Sequence, residues 1–309
     1  MQITASMVKE LRELTNAGMS ACKNALVEAD GDIKRASEIL REKGLAAAAK
    51  KAGRVAAEGL VMAEVSADRK SGALVEVNSE TDFVAKNEEF ITFVQNMAKH
   101  ALASSAEVAE TLLEEKWIAD SSQTAKEVLT NKIAIIGENI GLRRFERYNA
   151  ADGGAVVEYI HGGGRIGAML LITAPEINDT IIEAGRNVCM QIASMSPQFL
   201  SREDVPAEHI ENERAFLLNQ ATQENEKAEK PKPENIITNM VEGRLSKSLK
   251  EVCLLDQEYV KDGEHTVASY LKSVHPEAKI VRFTRYEKGE GIEKKESDFA
   301  AEVAEAMKG

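Results

Sequence analysis

The chain has 309 residues, of which 43% are hydrophobic, 29% charged and only 5% aromatic, and its formal net charge is −12. This length is enough for two or three domains. The acidic balance argues against a broad surface for nucleic acid or anionic membranes, and the scarcity of aromatic residues argues against stacking on single-stranded nucleic acid.

The hydropathy pattern argues against a membrane-spanning helix, and the cysteine pattern favours a reducing compartment. No apolar run approaches the roughly 18 residues that a membrane-spanning helix needs. Cys22, Cys189 and Cys253 are far apart, without the spacing of a metal or redox site. We therefore predict a cytoplasmic protein that holds no metal or cofactor and binds neither membranes nor nucleic acid directly.

Residues 1–54 are predicted to form a module of three short helices followed by a linker helix. Thr4 and Asp32 can cap the first and third helices, and Ser20 can start the second. Gly44 is expected to stop the third helix, just before the alanine-rich stretch LAAAAKKAGR. Three helices of this size make a small and marginally stable unit.

Residues 55–150 and 151–289 are predicted to be two copies of one plan. Each begins with a hairpin of two alternating strands, continues with helices and ends with a third strand. The last strands are closely similar, with RFERY at 144–148 and RFTRY at 282–286. We predict an α+β fold in which each copy forms a three-stranded antiparallel sheet with helices over one face.

The second copy carries an acidic insertion, and we predict a helical arm over about 178–232. Within residues 201–234, Ile210, Leu217 and Ala221 give only a thin apolar seam, which Phe216 and Leu218 broaden. A helical hairpin with the preceding helix is expected. The arm also leaves open a homodimer, or a 2:2 complex with a partner.

Residues 290–309 are predicted to form a C-terminal helical module. Phe299, Val303 and Met307 follow one another at helical spacing and give an apolar stripe. This stripe is expected to dock on the same chain or on a partner.

The stretch GGGRIG contains a formal G-x-G-x-x-G at Gly162, Gly164 and Gly167. A dinucleotide site needs this motif between a strand and a helix, but here an alternating strand follows. A hairpin turn is therefore favoured, with glycines supplying positive φ angles. His161, at the edge of this turn, is expected to face solvent or a partner, since no companion for a general base is evident.

The stretch SETDFVAKNEEF places Phe83 in a polar connector between a predicted strand and a predicted helix. Phe83 could staple the helix to the core, with Thr81 or Asp82 as the cap. It could instead be an exposed aromatic residue that enters a partner's pocket. A catalytic role for Asp82 has little support, because no second reactive group is nearby.

Comparison of the two copies favours the exposed alternative. Between matching positions, the first copy is longer than the second by about five residues, and the extra length falls within SETDFVAKN. The sheet and its helix can therefore be built without this segment.

Several motifs together resemble the elongation factor Ts family. ETDFVAKNEEF is similar to the family's signature, and residues 8–44 are similar to its N-terminal module, which resembles a ubiquitin-associated domain. HGGGRIG, VEGRLSKSLKEVCLLDQEYV and GEGIEKKESDFAAEV also match in the same order. The resemblance covers essentially the whole chain.

The resemblance implies a nucleotide exchange factor for the GTPase elongation factor Tu, and not an enzyme with catalytic residues. It implies that Asp82 makes a polar contact with Tu and that Phe83 acts as a wedge, while Thr81 and Val84 set the turn. These contacts would disturb Mg²⁺ coordination and the phosphate-binding loop, and so release GDP.

The resemblance also implies secondary contacts around Met19 and His161. Ser20 and Ala21 depart from the family's usual methionine and acid, so the resemblance carries no contact over to these two positions. The alternative is an adaptor that binds ubiquitin-like or GTPase partners without exchange activity.

Overall fold

The structure is a computed structural model that describes residues 3–15, 17–228 and 230–293. From position 294 onward, the predicted C-terminal helical module and its apolar stripe lie outside the described residues. Within the described ranges, no helix combines the length and apolar character needed to cross a membrane.

Three helices open the chain: α1 (Ala5–Thr15), α2 (Met19–Glu28) and α3 (Ile33–Lys51). Asp32 caps α3, because its carboxylate accepts a hydrogen bond from the Arg35 amide. The helices enclose a small core of their own, formed by Val8, Leu11, Cys22, Ala25, Leu26, Ala36 and Ile39.

The next part of the chain alternates strands and helices. Its elements are β1 (Glu58–Val65), β2 (Ser71–Ser79), α4 (Asp82–Ala85), α5 (Glu88–Ala103), α6 (Ala109–Glu114), β3 (Lys116–Trp117), β4 (Asp120–Thr124), α7 (Ala125–Ile136) and β5 (Gly141–Asn149). The three long strands form an antiparallel sheet in the order β1-β2-β5, and α5 packs across it. β3 and β4 form a small separate hairpin, which the sequence did not predict.

The prediction that Gly44 ends the third helix is wrong. α3 runs through Gly44 and the alanine-rich stretch without a break. Gly44 is buried against α7, where a Cβ atom would lie in ordinary contact, 3.7 Å from the Ala134 Cβ. The alanines that follow have the highest helix propensity and continue the helix.

The second copy repeats the first. Its elements are β6 (Gly154–His161), β7 (Ile166–Thr173), α8 (Asp179–Met195), α9 (Ala207–Glu226), α10 (Glu234–Val252), α11 (Val267–Val274) and β8 (Lys279–Glu287). The antiparallel sheet has the order β6-β7-β8, and α8 packs across it. The predicted α+β fold with two three-stranded antiparallel sheets is thus confirmed.

The strand register supports a duplication. Gly72 lies opposite Tyr148 in the first sheet, and Gly167 lies opposite Tyr286 in the second. With these pairs matched, the register shift after Glu76 coincides with the one after Leu171. An irregularity repeated at the same position is a feature of the common plan, because a β-bulge sets how the strand bends.

The two sheets pack against each other and leave their helices on the outside. The residues between the sheets are Val61, Leu74, Tyr148, Val156, Met169 and Tyr286. The core of the molecule therefore has four layers, in the order helix, sheet, sheet, helix.

The helical arm is formed by α9 and α10, so the prediction that it pairs with the preceding helix is wrong. Leu217 and Ala221 on α9 pack against Val241, Leu245 and Leu249 on α10. The predicted seam on α9 is real, but its complement is the apolar stripe that follows the Pro-Lys-Pro break.

Ion pairs also join the two arm helices. Arg214 Nε lies 2.9 Å from a carboxylate oxygen of Glu242, and Arg244 reaches Glu224 at 2.7 Å. α8, which was predicted to pair with α9, instead covers the second sheet.

Candidate functional site

The connector between β2 and α5 is a single capped helical turn, α4. The Thr81 hydroxyl accepts a hydrogen bond of 3.4 Å from the Val84 amide, and Asn87 caps α5 by accepting from the Glu89 amide at 2.8 Å. Val84 and Ala85 are buried in the core of the first copy. The turn is therefore held at both ends and along its inner face.

Phe83 points away from this core. Its side chain is 79% exposed, more than any other large hydrophobic residue among those the structure describes. The alternative in which Phe83 staples the helix to the core is therefore wrong, although Thr81 does cap the turn as that alternative assumed. Val84, the next residue, fills the inward position.

Asp82 lies beside Phe83 and is half exposed. Lys86 donates a hydrogen bond of 2.6 Å to its carboxylate, and this bond lowers the pKa of Asp82. The positive charge of Lys288 acts in the same direction. Asp82 is consequently a carboxylate at neutral pH, available for a polar contact next to the aromatic ring.

The turn is held by hydrogen bonds to the loop after α7, a contact that the sequence did not predict. The Thr81 hydroxyl donates to Glu138 Oε1 at 2.6 Å, and the Thr81 amide donates to Glu138 Oε2 at 3.0 Å. In return, Glu80 Oε1 accepts from the Asn139 amide at 2.5 Å. The only signal in the sequence was an acidic residue directly after a helix-ending glycine.

The glycine-rich motif is a hairpin turn between β6 and β7, as predicted. Gly162, Gly163 and Gly164 have φ angles of +58°, +64° and +98°. A strand follows, so no helix N-terminus is available for a pyrophosphate. The Gly164 carbonyl accepts a hydrogen bond of 2.8 Å from the Val61 amide, which ties this turn to β1.

His161 and Phe83 belong to turns that both border the first half of β1. Glu58, the first residue of β1, pairs with Ser79, and the Phe83 turn follows Ser79 directly. The turn after His161 reaches β1 at Val61. His161 is exposed, and its Nδ1 lies 3.0 Å from the Tyr159 hydroxyl oxygen.

Met19 belongs to the N-terminal three-helix module, which has a core of its own. It is the first residue of α2 and is 48% exposed. Ser20 and Ala21, the two departures from the family pattern, are exposed beside it. The structure thus brings Thr81, Asp82, Phe83 and Val84 into one turn, sets His161 near the same end of the sheets, and leaves Met19 on a separate module.

The described residues include no group of three or more histidine, cysteine or acidic side chains that could hold a metal ion. The three cysteines are buried, and burial raises the pKa of the Cys189 thiol well above its usual value. A thiol of this kind is a poor nucleophile, because reactivity requires the thiolate.

The fold and site together define a duplicated α+β protein in which an insertion in the first copy presents an aromatic side chain to its surroundings. A family model described as "Elongation factor TS" matches residues 80–290. The chain is 51% identical to Elongation factor Ts of Clostridium botulinum (strain Eklund 17B / Type B), over 99% of each chain. It is 52% identical to Elongation factor Ts of Clostridium perfringens (strain 13 / Type A), over 98% of each chain.

The chain therefore belongs to the elongation factor Ts family, which confirms the resemblance found in the sequence. The matched region begins at Glu80 and so includes the Phe83 turn, the glycine-rich turn after His161 and the helical arm.

Proposed function

We propose that this protein binds the GDP form of elongation factor Tu and promotes release of the nucleotide. The observation that carries the proposal is the exposure of Phe83 on a braced turn. Burying an exposed apolar ring in a partner's pocket removes apolar surface from water and is favourable. Aromatic residues also dominate the binding energy of many protein interfaces. The neighbouring Asp82 carboxylate adds a charge that can fix the orientation of the complex.

The mechanism needs differential binding and no chemical step. An exchange factor must bind nucleotide-free Tu more tightly than Tu with GDP, and linkage then requires that factor and GDP weaken each other equally. Mg²⁺ neutralises phosphate oxygens, so a wedge that disturbs its coordination weakens the hold on GDP. In this proposal Phe83 is the wedge, Asp82 the polar contact, and Thr81 and Val84 set the turn.

Further contacts would add to the coupling. The coupling free energy between two ligands is typically about 1–3 kcal/mol, which is too little for a large acceleration, so several contacts must act together. We propose that the exposed residues Met19 and His161 make secondary contacts with Tu. The arm formed by α9 and α10 has Phe216 and Leu218 exposed, and we propose it as the surface for a homodimer or a 2:2 complex. Such a factor would act in the cytoplasm, where translation occurs.

Release of a fluorescent GDP analogue from purified Tu tests the proposal. We expect the protein to accelerate release, and Phe83→Ala to reduce the acceleration by at least about tenfold, as for an interface hot spot. Val281→Ala removes another exposed apolar side chain, on β8, and should leave the rate unchanged. Binding to Tu without acceleration would contradict exchange and favour the adaptor alternative.

A further inference from the structure

Both carboxylate oxygens of Glu138 accept hydrogen bonds from Thr81. One oxygen accepts from the Thr81 hydroxyl at 2.6 Å and the other from the Thr81 amide at 3.0 Å. The Thr81 carbonyl accepts a hydrogen bond of 3.1 Å from the Ser79 hydroxyl. With the bond from Val84 to the Thr81 hydroxyl, every polar atom of Thr81 is engaged, which fixes the backbone two residues before Phe83.

A second set of bonds secures the loop that carries Glu138. Glu80 accepts from the Asn139 amide at 2.5 Å and lies 3.5 Å from Arg54. The Asn139 side chain donates to the Arg54 carbonyl at 2.7 Å. Gly137, with a φ of +86°, ends α7 in the left-handed region and turns the chain towards these partners. These bonds hold in place the loop that carries Glu138. We call the pair of hydrogen bonds from Thr81 to Glu138 the brace.

The second copy has neither the aromatic turn nor the brace. Its connector spans residues 174–178, in place of 80–87 in the first copy. When Tyr148 and Tyr286 are matched, Pro276 takes the place of Glu138. Across the described chain, no hydrogen bond joins residues 174–178 to residues 275–278. The brace thus accompanies the aromatic turn and is dispensable for the fold that both copies share.

We propose that Glu138 is a positioning residue, which acts through Thr81 to hold Phe83 in its binding orientation. The inference rests on the proposed function, because it concerns how the same turn engages Tu. A turn that is ordered before binding loses less conformational entropy in the complex. Glu138 would therefore raise affinity without touching the partner.

The test compares two substitutions at position 138 in the GDP-release assay. Glu138→Ala removes both acceptors and should lower the rate at subsaturating protein by about tenfold, the effect expected for a charged hydrogen-bond pair. Glu138→Gln keeps a carbonyl for the Thr81 amide and an NH₂ group that can donate to the Thr81 hydroxyl. It should restore the rate to within about threefold of wild type. Glu107→Ala, at an exposed acid away from the turn, serves as the matched control.

A double substitution separates positioning from direct contact. If Glu138 acts only through the turn, Glu138→Ala should have little further effect in a protein that already carries Phe83→Ala. Full additivity would overturn the inference, since it would mean that Glu138 contributes a contact of its own. Equal loss in Glu138→Ala and Glu138→Gln would also overturn it, because geometry would then not be the cause.

These outcomes are distinct from failure of the proposed function. If the wild-type protein does not accelerate GDP release, the proposed function is wrong; if Phe83→Ala accelerates release as fast as wild type, the wedge role of Phe83 is wrong. If Phe83→Ala is slow and Glu138→Ala is not, only the positioning role is wrong. Should Glu138→Ala fold poorly, Glu138→Gln and Thr81→Val take its place in the comparison. Thr81→Val removes the hydroxyl bonds to Glu138 and to the Val84 amide but keeps the Thr81 amide bond to Glu138. Thr81→Val at wild-type rate would then count against positioning.

Discussion

The guanidinium carbon of Arg282 lies 3.8 Å from the centre of the Tyr148 ring. The two residues belong to different copies, and the relationship is reciprocal, because Arg144 lies 4.2 Å from the centre of the Tyr286 ring. The arginine and tyrosine repeated in the last strand of each copy therefore join the two sheets through reciprocal cation–π contacts. The Tyr148 hydroxyl lies 2.6 Å from that of Thr284, on the opposite copy.

Arg282→Ala should destabilise the fold through loss of this contact. Cation–π pairs at partly exposed sites contribute about 0.5–1 kcal/mol, and Arg282 also donates to the Arg147 carbonyl. We expect a loss of about 1 kcal/mol in urea denaturation, against no measurable change for Lys279→Ala, an exposed residue on the same strand. Equal stability of the two variants would contradict a stabilising role for this contact.

Phe83→Ala should leave stability almost unchanged, whereas Phe90→Ala should be strongly destabilising. Phe90 is fully buried on α5, so its truncation should cost about 3–5 kcal/mol, while an exposed substitution stays within about 0.5 kcal/mol. Thermal unfolding of the two variants measures the difference. A large loss in Phe83→Ala would mean that the ring packs on the core in solution.

Glu76 should make the fold sensitive to acid. Its carboxylate is buried on β2, which by itself would raise the pKa. The Gly289 amide at 2.8 Å, Arg143 at 3.0 Å and Arg144 at 2.6 Å outweigh burial, so the pKa of Glu76 lies below its usual value. A lowered folded-state pKa contributes stability above the unfolded value of about 4.3, and this is lost as pH falls through the folded-state pKa.

Glu76→Gln should therefore be less stable than wild type at pH 7, by about 1.5–3 kcal/mol. The difference should shrink below about pH 4 as wild-type Glu76 becomes protonated. Urea denaturation across this pH range measures the effect, with Glu64→Gln on the neighbouring strand as the control. A pH-independent difference would rule out ionised Glu76 as the cause.

Gly164→Ala should be more damaging than Gly163→Ala. Both residues have positive φ, so each substitution carries strain of about 1–2 kcal/mol. A Cβ at Gly164 would also lie 2.7 Å from a Leu60 methyl carbon, whereas nothing lies within 4 Å at Gly163. We expect an additional loss of about 1–3 kcal/mol for Gly164→Ala in chemical denaturation. Equal losses would show that the turn can move away from β1.

Leu217→Ala and Leu218→Ala should separate the inner and outer faces of the arm. Leu217 is buried against α10, so its truncation should cost about 2–5 kcal/mol locally, while the exposed Leu218 should cost under about 1 kcal/mol. Amide hydrogen exchange over 207–252 reports this local stability. Faster exchange in Leu218→Ala than in Leu217→Ala would contradict the observed packing.

Much of the fold was predictable because its signals are local. Alternating strands, the repeated RFERY and RFTRY segments and the three-glycine turn each depend on neighbouring residues. The two wrong predictions, the end of α3 and the partner of α9, concern features that depend on contacts between distant parts of the chain. Gly44 usually ends a helix, but alanines follow it and α7 packs beside it. The apolar seam of α9 could pack against an apolar face of either α8 or α10, and the local sequence does not distinguish the two.

The sequence by itself determined the duplicated α+β plan, the extra length around Phe83 and the family, because periodicity, repeat length and motif order can be read along the chain. Tertiary structure alone decided which way Phe83 faces. A capped turn beside a core has an inward and an outward position, and Val84 occupies the inward one. The tertiary structure also decided which residue stabilises that turn. Glu138 lies 57 residues from Thr81 in sequence and contacts it only when β2 and β5 pair.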